Sequence, residues 1–305
     1  MQTRRSFVKN SSIAATGLLA LNPLHSIASI FNDTNTLAAN KNSITILHTG
    51  NILQQLQPIS NKGLHNGLGG FEHMAAIIKS QKNKYRNVLL LDAGNATSNK
   101  TDAAETLQLM QSLGYDAVKV AANEINFNAQ QLNNIGKKLP LVSSNYSFDY
   151  KLNIPILPFS IVQKGAYKIA VITAGQRVRN KIISFKNPIA EANKLAALLK
   201  KDYGCNLVVC ISTLGYNTKN TNNDIALANS STYIDVIIGA DNLMITPAIL
   251  KNKNKEEIVL NYSAPKGLVL GKLQIEFDEE GNKKMVHFDN LMVGTANQRW
   301  KRETA

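Results

Sequence analysis

The chain has 305 residues, of which 44% are hydrophobic and 18% charged, with two cysteines and a formal charge of +13. That apolar content supports a full buried core and excludes a disordered or collagen-like chain, while two cysteines exclude a disulfide framework. Lysines are scattered among many asparagines, so the basic excess reads as a solvated surface and no nucleic-acid partner is expected.

At the amino terminus, Thr3-Arg4-Arg5-Ser6-Phe7-Val8-Lys9 precedes a mildly apolar run over 13–21, in the manner of a twin-arginine export signal. The run is too short to cross the ~30 Å bilayer core, and Asn22 and Pro23 interrupt it. Cleavage after Ala28 is expected, giving a signal peptide over 1–28, a polar linker over 29–42, and a periplasmic or secreted protein without a permanent membrane anchor. Losing Arg4, Arg5 and Lys9 takes the charge from 13 to 13 − 3, or +10.

From residue 43 short β-rich runs alternate with amphipathic segments, which predicts an α/β domain over 43–293. Strands are expected at 44–49, 88–92, 117–121, 139–143, 168–173, 207–212 and 234–239. Helices are expected at 71–82, 103–113 and 188–203, the last opening on Pro188. Further strands are predicted at 257–262, 268–278 and 284–291, the last two joined by a turn at Glu280-Gly281-Asn282. Cys205 and Cys210 flank an apolar strand, point to opposite faces and are read as two buried thiols. Residues 294–305 form a basic tail carrying Trp300, the only tryptophan.

The predicted strand ends carry landmarks in a fixed order. His48-Thr49-Gly50-Asn51-Ile52-Leu53 is followed by Gly69-Gly70-Phe71, Asp92-Ala93-Gly94-Asn95 and Gly114-Tyr115-Asp116. Next come Ala121-Ala122-Asn123-Glu124, Ser212-Thr213-Leu214-Gly215 and Gly239-Ala240-Asp241-Asn242-Leu243. Over about residues 44–278 this pattern resembles the N-terminal domain of the bacterial 5'-nucleotidase and UDP-sugar hydrolase family, among the calcineurin-like metallophosphoesterases. The resemblance implies a four-layer α/β/β/α sandwich with two mixed sheets. It also implies two divalent metal ions at the strand ends and hydrolysis of phosphate esters by a metal-bound water.

At the matching positions this sequence departs from the family's ligands. The resemblance places metal ligands at Asn51, Leu53, Asn95, Ala122, Thr213, Asp241 and Leu243, and a catalytic histidine at Asn123. What remains is scaffold: His48, Asp92, Gly94, Glu124, Gly215 and Gly239. Leucine and alanine offer no lone pair, and a neutral amide is a poor bridge between two cations. Without a metal, water keeps a pKa near ~15.7 and supplies almost no hydroxide at pH 7.

The expectation is therefore a vestigial site with no catalytic residue and no cofactor, in a protein that acts by binding. Candidate partners are a separately encoded 5'-nucleotidase C-terminal domain, another exported protein, or a nucleotide or phosphate held by Asn51, Asn95 and Asn123. The alternative is a metal-dependent 5'-nucleotidase, phosphomonoesterase or sugar-nucleotide hydrolase with an unusual site, perforce using Asp241. His65 and His73 are the substitute ligands such an enzyme would have at hand.

Overall fold

Side-chain alternation on β1 (Ser43–Thr49) sets the architecture. Ile44 and Ile46 enter one apolar layer and Leu47 another, because successive residues of a strand face opposite sides. The computed structural model describes residues 42–97, 103–148, 151–180, 183–216, 221–240 and 247–294. The twin-arginine segment, the linker up to residue 41, Asp241, Leu243 and the tail from residue 295 lie outside the described residues.

After β1 come α1 (Phe71–Lys84), β2 (Val88–Asp92), α2 (Ala104–Leu113), β3 (Ala117–Lys119), α3 (Ala122–Ile125) and α4 (Ala129–Gly136). The middle of the chain forms β4 (Leu141–Val142), β5 (Tyr146–Phe148), β6 (Ser160–Lys164), β7 (Tyr167–Ala174), β8 (Ile183–Phe185) and α5 (Pro188–Lys201). Then follow β9 (Leu207–Ser212), α6 (Asp224–Ser230), β10 (Val236–Ala240), β11 (Ala248–Lys251) and β12 (Glu257–Ser263). A short 3-10 turn, Pro265–Gly267, leads into β13 (Val269–Phe277), β14 (Lys283–Phe288) and β15 (Leu291–Met292).

One sheet runs β14-β13-β1-β2-β3-β4 with β15 also on β13; the second runs β11-β12-β10-β9-β7-β6. In the first, a parallel run from β1 to the edge strand β4 carries antiparallel β13 and β14 on its other side; in the second, a parallel centre is flanked by antiparallel β11 and β6. The inner faces meet through Ile44, Ile46 and Leu91 against Val171, Ile211 and Ile238. At the rim, Tyr167 stacks on Phe277 at 4.0 Å. Helices α1, α2 and α4 cover the first sheet, and α5 and α6 the second. The result is the expected four-layer α/β/β/α sandwich.

Local chemistry explains the helix ends. Asn187 caps α5 by accepting from the N–H groups of Ile189 and Ala190, each at 3.0 Å, with Pro188 in the first turn. Gly114, at φ 64°, closes α2.

Departures from the predicted elements have local causes. The strand expected to reach residue 121 stops at Lys119, because Ala121 is already the N-cap of α3. The predicted strand 284–291 divides into β14 and β15, with Asp289 N–H returning to Lys272 O between them. Edge strands β6 and β11 and the β5–β8 pair carry weak apolar alternation and went unpredicted. Both cysteines are buried and free, and Cys205 sits before β9, outside the strand.

Candidate functional site

Three parallel strands of the first sheet, β1, β2 and β3, deliver their following loops to one edge. Asn51 and Asn95 take left-handed backbone angles, φ 51° and 55°, which asparagine adopts more readily than most residues. Leu53, at φ 55°, has no such tolerance, and its N–H is tied to Asn95 O at 3.1 Å. Asn51 N–H donates to Gly94 O at 2.9 Å, so the first two loops are zipped along their backbones.

The side chains continue the zipper. Asn95 Nδ2 donates to Asn51 Oδ1 at 2.9 Å, and Asn95 Oδ1 accepts from Asn123 N–H at 2.9 Å. Asn123 Nδ2 donates to Thr97 O at 2.7 Å, and Asn51 Nδ2 reaches Ala240 O, at the end of β10, at 3.4 Å. Asparagines from three loops are thus linked to one another and to backbone, with the side-chain oxygens of Asn51 and Asn95 both engaged. Gly50 lets the two sheets touch here, since a Cβ on it would lie 2.5 Å from Ala240 Cβ and 2.8 Å from Ala93 Cβ.

Beneath this layer the retained residues are buried. Asp92 accepts from Thr49 Oγ1 at 2.5 Å and from Gly94 N–H at 2.8 Å; Thr49 Oγ1 also lies 2.8 Å from Tyr115 Oη. Burial pushes the Asp92 carboxyl up to about 7. Glu124 accepts from the N–H groups of Asn95 and Ala121 at 3.0 and 3.2 Å, and burial raises its pKa as well. His48, buried against Gly271, has neither ring nitrogen hydrogen-bonded, and burial pushes it down to about 3. On the second sheet Asp224 accepts from Ser212 Oγ and, at 2.6 Å, from Tyr262 Oη.

The chain is similar to the snake venom 5'-nucleotidase of Crotalus adamanteus, 25% identical over 288 residues, which cover 81% of this chain and 47% of that protein. It is 24% identical over 307 residues to the NAD 5'-nucleotidase of Haemophilus influenzae, covering 84% and 49%. The solved 5'-nucleotidase precursor from Thermus thermophilus superposes with a TM-score of 0.73 at 21% identity, over 83% of this chain and 55% of that one. The calcineurin-like phosphoesterase YfkN from Bacillus subtilis gives 0.61 at 16% identity, over 84% and 92%. The chain has the metallophosphoesterase fold, and over that fold its sequence is similar to 5'-nucleotidases. No family model matches it, and it spans about half the length of the curated relatives it matches.

The metallophosphoesterase metals do not fit the described residues. Leu53 and Ala122 have no donor atom, and the side-chain oxygens of Asn51 and Asn95 are both engaged by N–H groups. Thr213, after β9, is half-buried, its N–H on Ala174 O. Among the described residues no group of three or more His, Cys, Asp or Glu side chains could hold a metal ion. His65 and His73 are exposed; His65 lines a small surface cavity with Lys266 and Pro265.

Of the predicted positions, the fold brings Asn51, Asn95 and Asn123 into one hydrogen-bonded chain and sets Leu53 beside it through the backbone. Sequence reasoning missed Lys119, which is fully buried. The signal was available: a lysine two residues after Ala117, on the inward phase of an apolar strand.

Proposed function

We propose that this metallophosphoesterase-fold protein does not hydrolyse phosphate esters through metals and acts by binding a partner. The carrying observation is the amide chain Asn51–Asn95–Asn123, whose side chains are all neutral and in which the side-chain oxygens of Asn51 and Asn95 are already hydrogen-bonded. A dication there would break those bonds and find, among these described loop side chains, no anionic oxygen to offset its desolvation. Asn123 has no titratable proton to give a leaving group.

The same engagement weighs against an anion in the old cleft, and so favours a protein partner over nucleotide or phosphate. The partner proposed is another exported protein, such as a separately encoded 5'-nucleotidase C-terminal domain. The twin-arginine pattern of residues 3–9 supports the export part of this reading. Among the described residues no helix is long and apolar enough to cross a membrane.

The test is metal analysis of protein purified without chelator, together with assays on AMP and a generic phosphate monoester. The expected result is well under one metal equivalent and turnover at the level of buffer. About two equivalents of Mn, Zn or Fe with AMP hydrolysis would overturn the reading. Calorimetric titration with AMP and with phosphate is expected to give no heat; saturable heat would move the proposal to a ligand-binding module.

A further inference from the structure

Lys119 is the anomaly of the site. It leaves β3 on the same side as Ala117, which belongs to the layer between the sheets, and its side chain is fully buried. Its Nζ donates to Val120 O at 3.2 Å and lies 5.7 Å from the centre of the Tyr146 ring. The peptide whose oxygen it touches joins Val120 to Ala121, and the N–H of that same peptide donates to Glu124 Oε2 at 3.2 Å. Ammonium and carboxylate therefore grip opposite ends of one peptide group. The cation sits at the negative end of its dipole and the anion at the positive end, an arrangement in which each hydrogen bond polarises the other.

Glu124 also holds Asn95 N–H at 3.0 Å, so the pair reaches the second loop of the amide chain. Gly94 marks how tightly these loops are set: a Cβ there would lie 2.6 Å from Lys119 O and 2.4 Å from Ala121 Cβ. A buried carboxylate without a counter-charge is costly, and among the described residues no cluster of ligands for a metal ion stands here to supply one.

We propose that Lys119 is the resident counter-charge of this site, acting through the Val120–Ala121 peptide on Glu124 to hold the β2 and β3 loops without a metal. The pair differs from an ordinary salt bridge in having a peptide between its members. Burial lowers the lysine's pKa to about 8 while Glu124 raises it, so the two groups sense each other electrostatically. This inference rests on the metal-free reading above.

The experiment is a double-mutant cycle on chelator-treated full chain, comparing thermal unfolding of wild type, Lys119→Met, Glu124→Gln and the double variant. Lys119→Met is expected to lower the midpoint by roughly 6 °C or more, since it strands a buried carboxylate. Adding Glu124→Gln is expected to recover at least half of that loss. An unchanged midpoint in Lys119→Met, or a double variant equal to the sum of the single losses, overturns the pairing. Should Lys119→Met fail to fold, the double variant is expected to fold, and its failure as well would count against the pair. Chelation that lowers the wild-type midpoint while the coupling persists would sink the metal-free reading and leave the pair standing.

Discussion

Asn95 donates its side-chain amide to the side-chain oxygen of Asn51 at 2.9 Å, joining the loops after β2 and β1 where both backbones are left-handed. An aspartate at either position is what the sequence resemblance implies for a metal site, yet here it would be destabilising. Asn95→Asp replaces the donor with an oxygen facing another oxygen, so a loss of about 1–3 kcal/mol is expected. Urea unfolding at pH 7 checks this; a more stable variant would contradict the amide chain.

Two buried groups under that layer give opposing pH dependences. The Asp92 carboxyl is raised from 3.8 to about 7, so between those values the folded chain holds a proton that the unfolded chain has lost. Its contribution to stability therefore falls as pH rises through that window. For His48, lowered from 6.5 to about 3, the unfolded state takes the extra proton, and stability is lost as pH falls from 6.5 towards 3. The two nearly cancel between pH 4 and 6.5. Asp92→Asn is expected to expose the histidine slope, up to about 1.4 kcal/mol per pH unit, with stability rising with pH. Denaturant midpoints across that range are the readout, and a profile parallel to wild type would refute the balance.

Glycines at two loop positions separate backbone strain from crowding. Gly94, at φ 85°, has Ala121 Cβ and Lys119 O inside 3 Å of any Cβ, whereas Gly114, at φ 64°, has nothing nearer than Lys82 Nζ at 3.6 Å. Gly114→Ala is expected to cost about 1 kcal/mol, the conformational term alone. Gly94→Ala adds a clash that neither loop can relieve without breaking the amide chain, so a loss of about 3 kcal/mol or more is expected. Equal effects in calorimetric unfolding would show that crowding is unimportant.

On the second sheet, Tyr262 Oη reaches Asp224 Oδ2 at 2.6 Å, with Ser212 on the other carboxylate oxygen. Tyr262→Phe keeps the ring and removes one donor from a buried carboxylate. A destabilisation of about 1.5–3 kcal/mol is expected from guanidinium unfolding curves. A change within error would assign Asp224 its compensation elsewhere.

Much of this protein was written locally. Strand periodicity and the helix start at Pro188 specified an α/β domain, because burial of alternate residues is a property of neighbours along the chain, while the two layered sheets were implied by the resemblance that the ordered landmarks from His48 to Gly239 carry. The same sequence also carried the absence of side-chain ligand atoms at Leu53 and Ala122, since a side chain without a lone pair lacks it in any fold. Tertiary structure alone decided that Asn51, Asn95 and Asn123 would satisfy one another, that Lys119 and Glu124 would share a peptide group, and that His48 would be sealed against Gly271. Those outcomes depend on hydrogen-bond distances between residues as many as 44 positions apart, as for Asn51 and Asn95, and on the exclusion of water by both sheets. Neither quantity has a local signature in the chain.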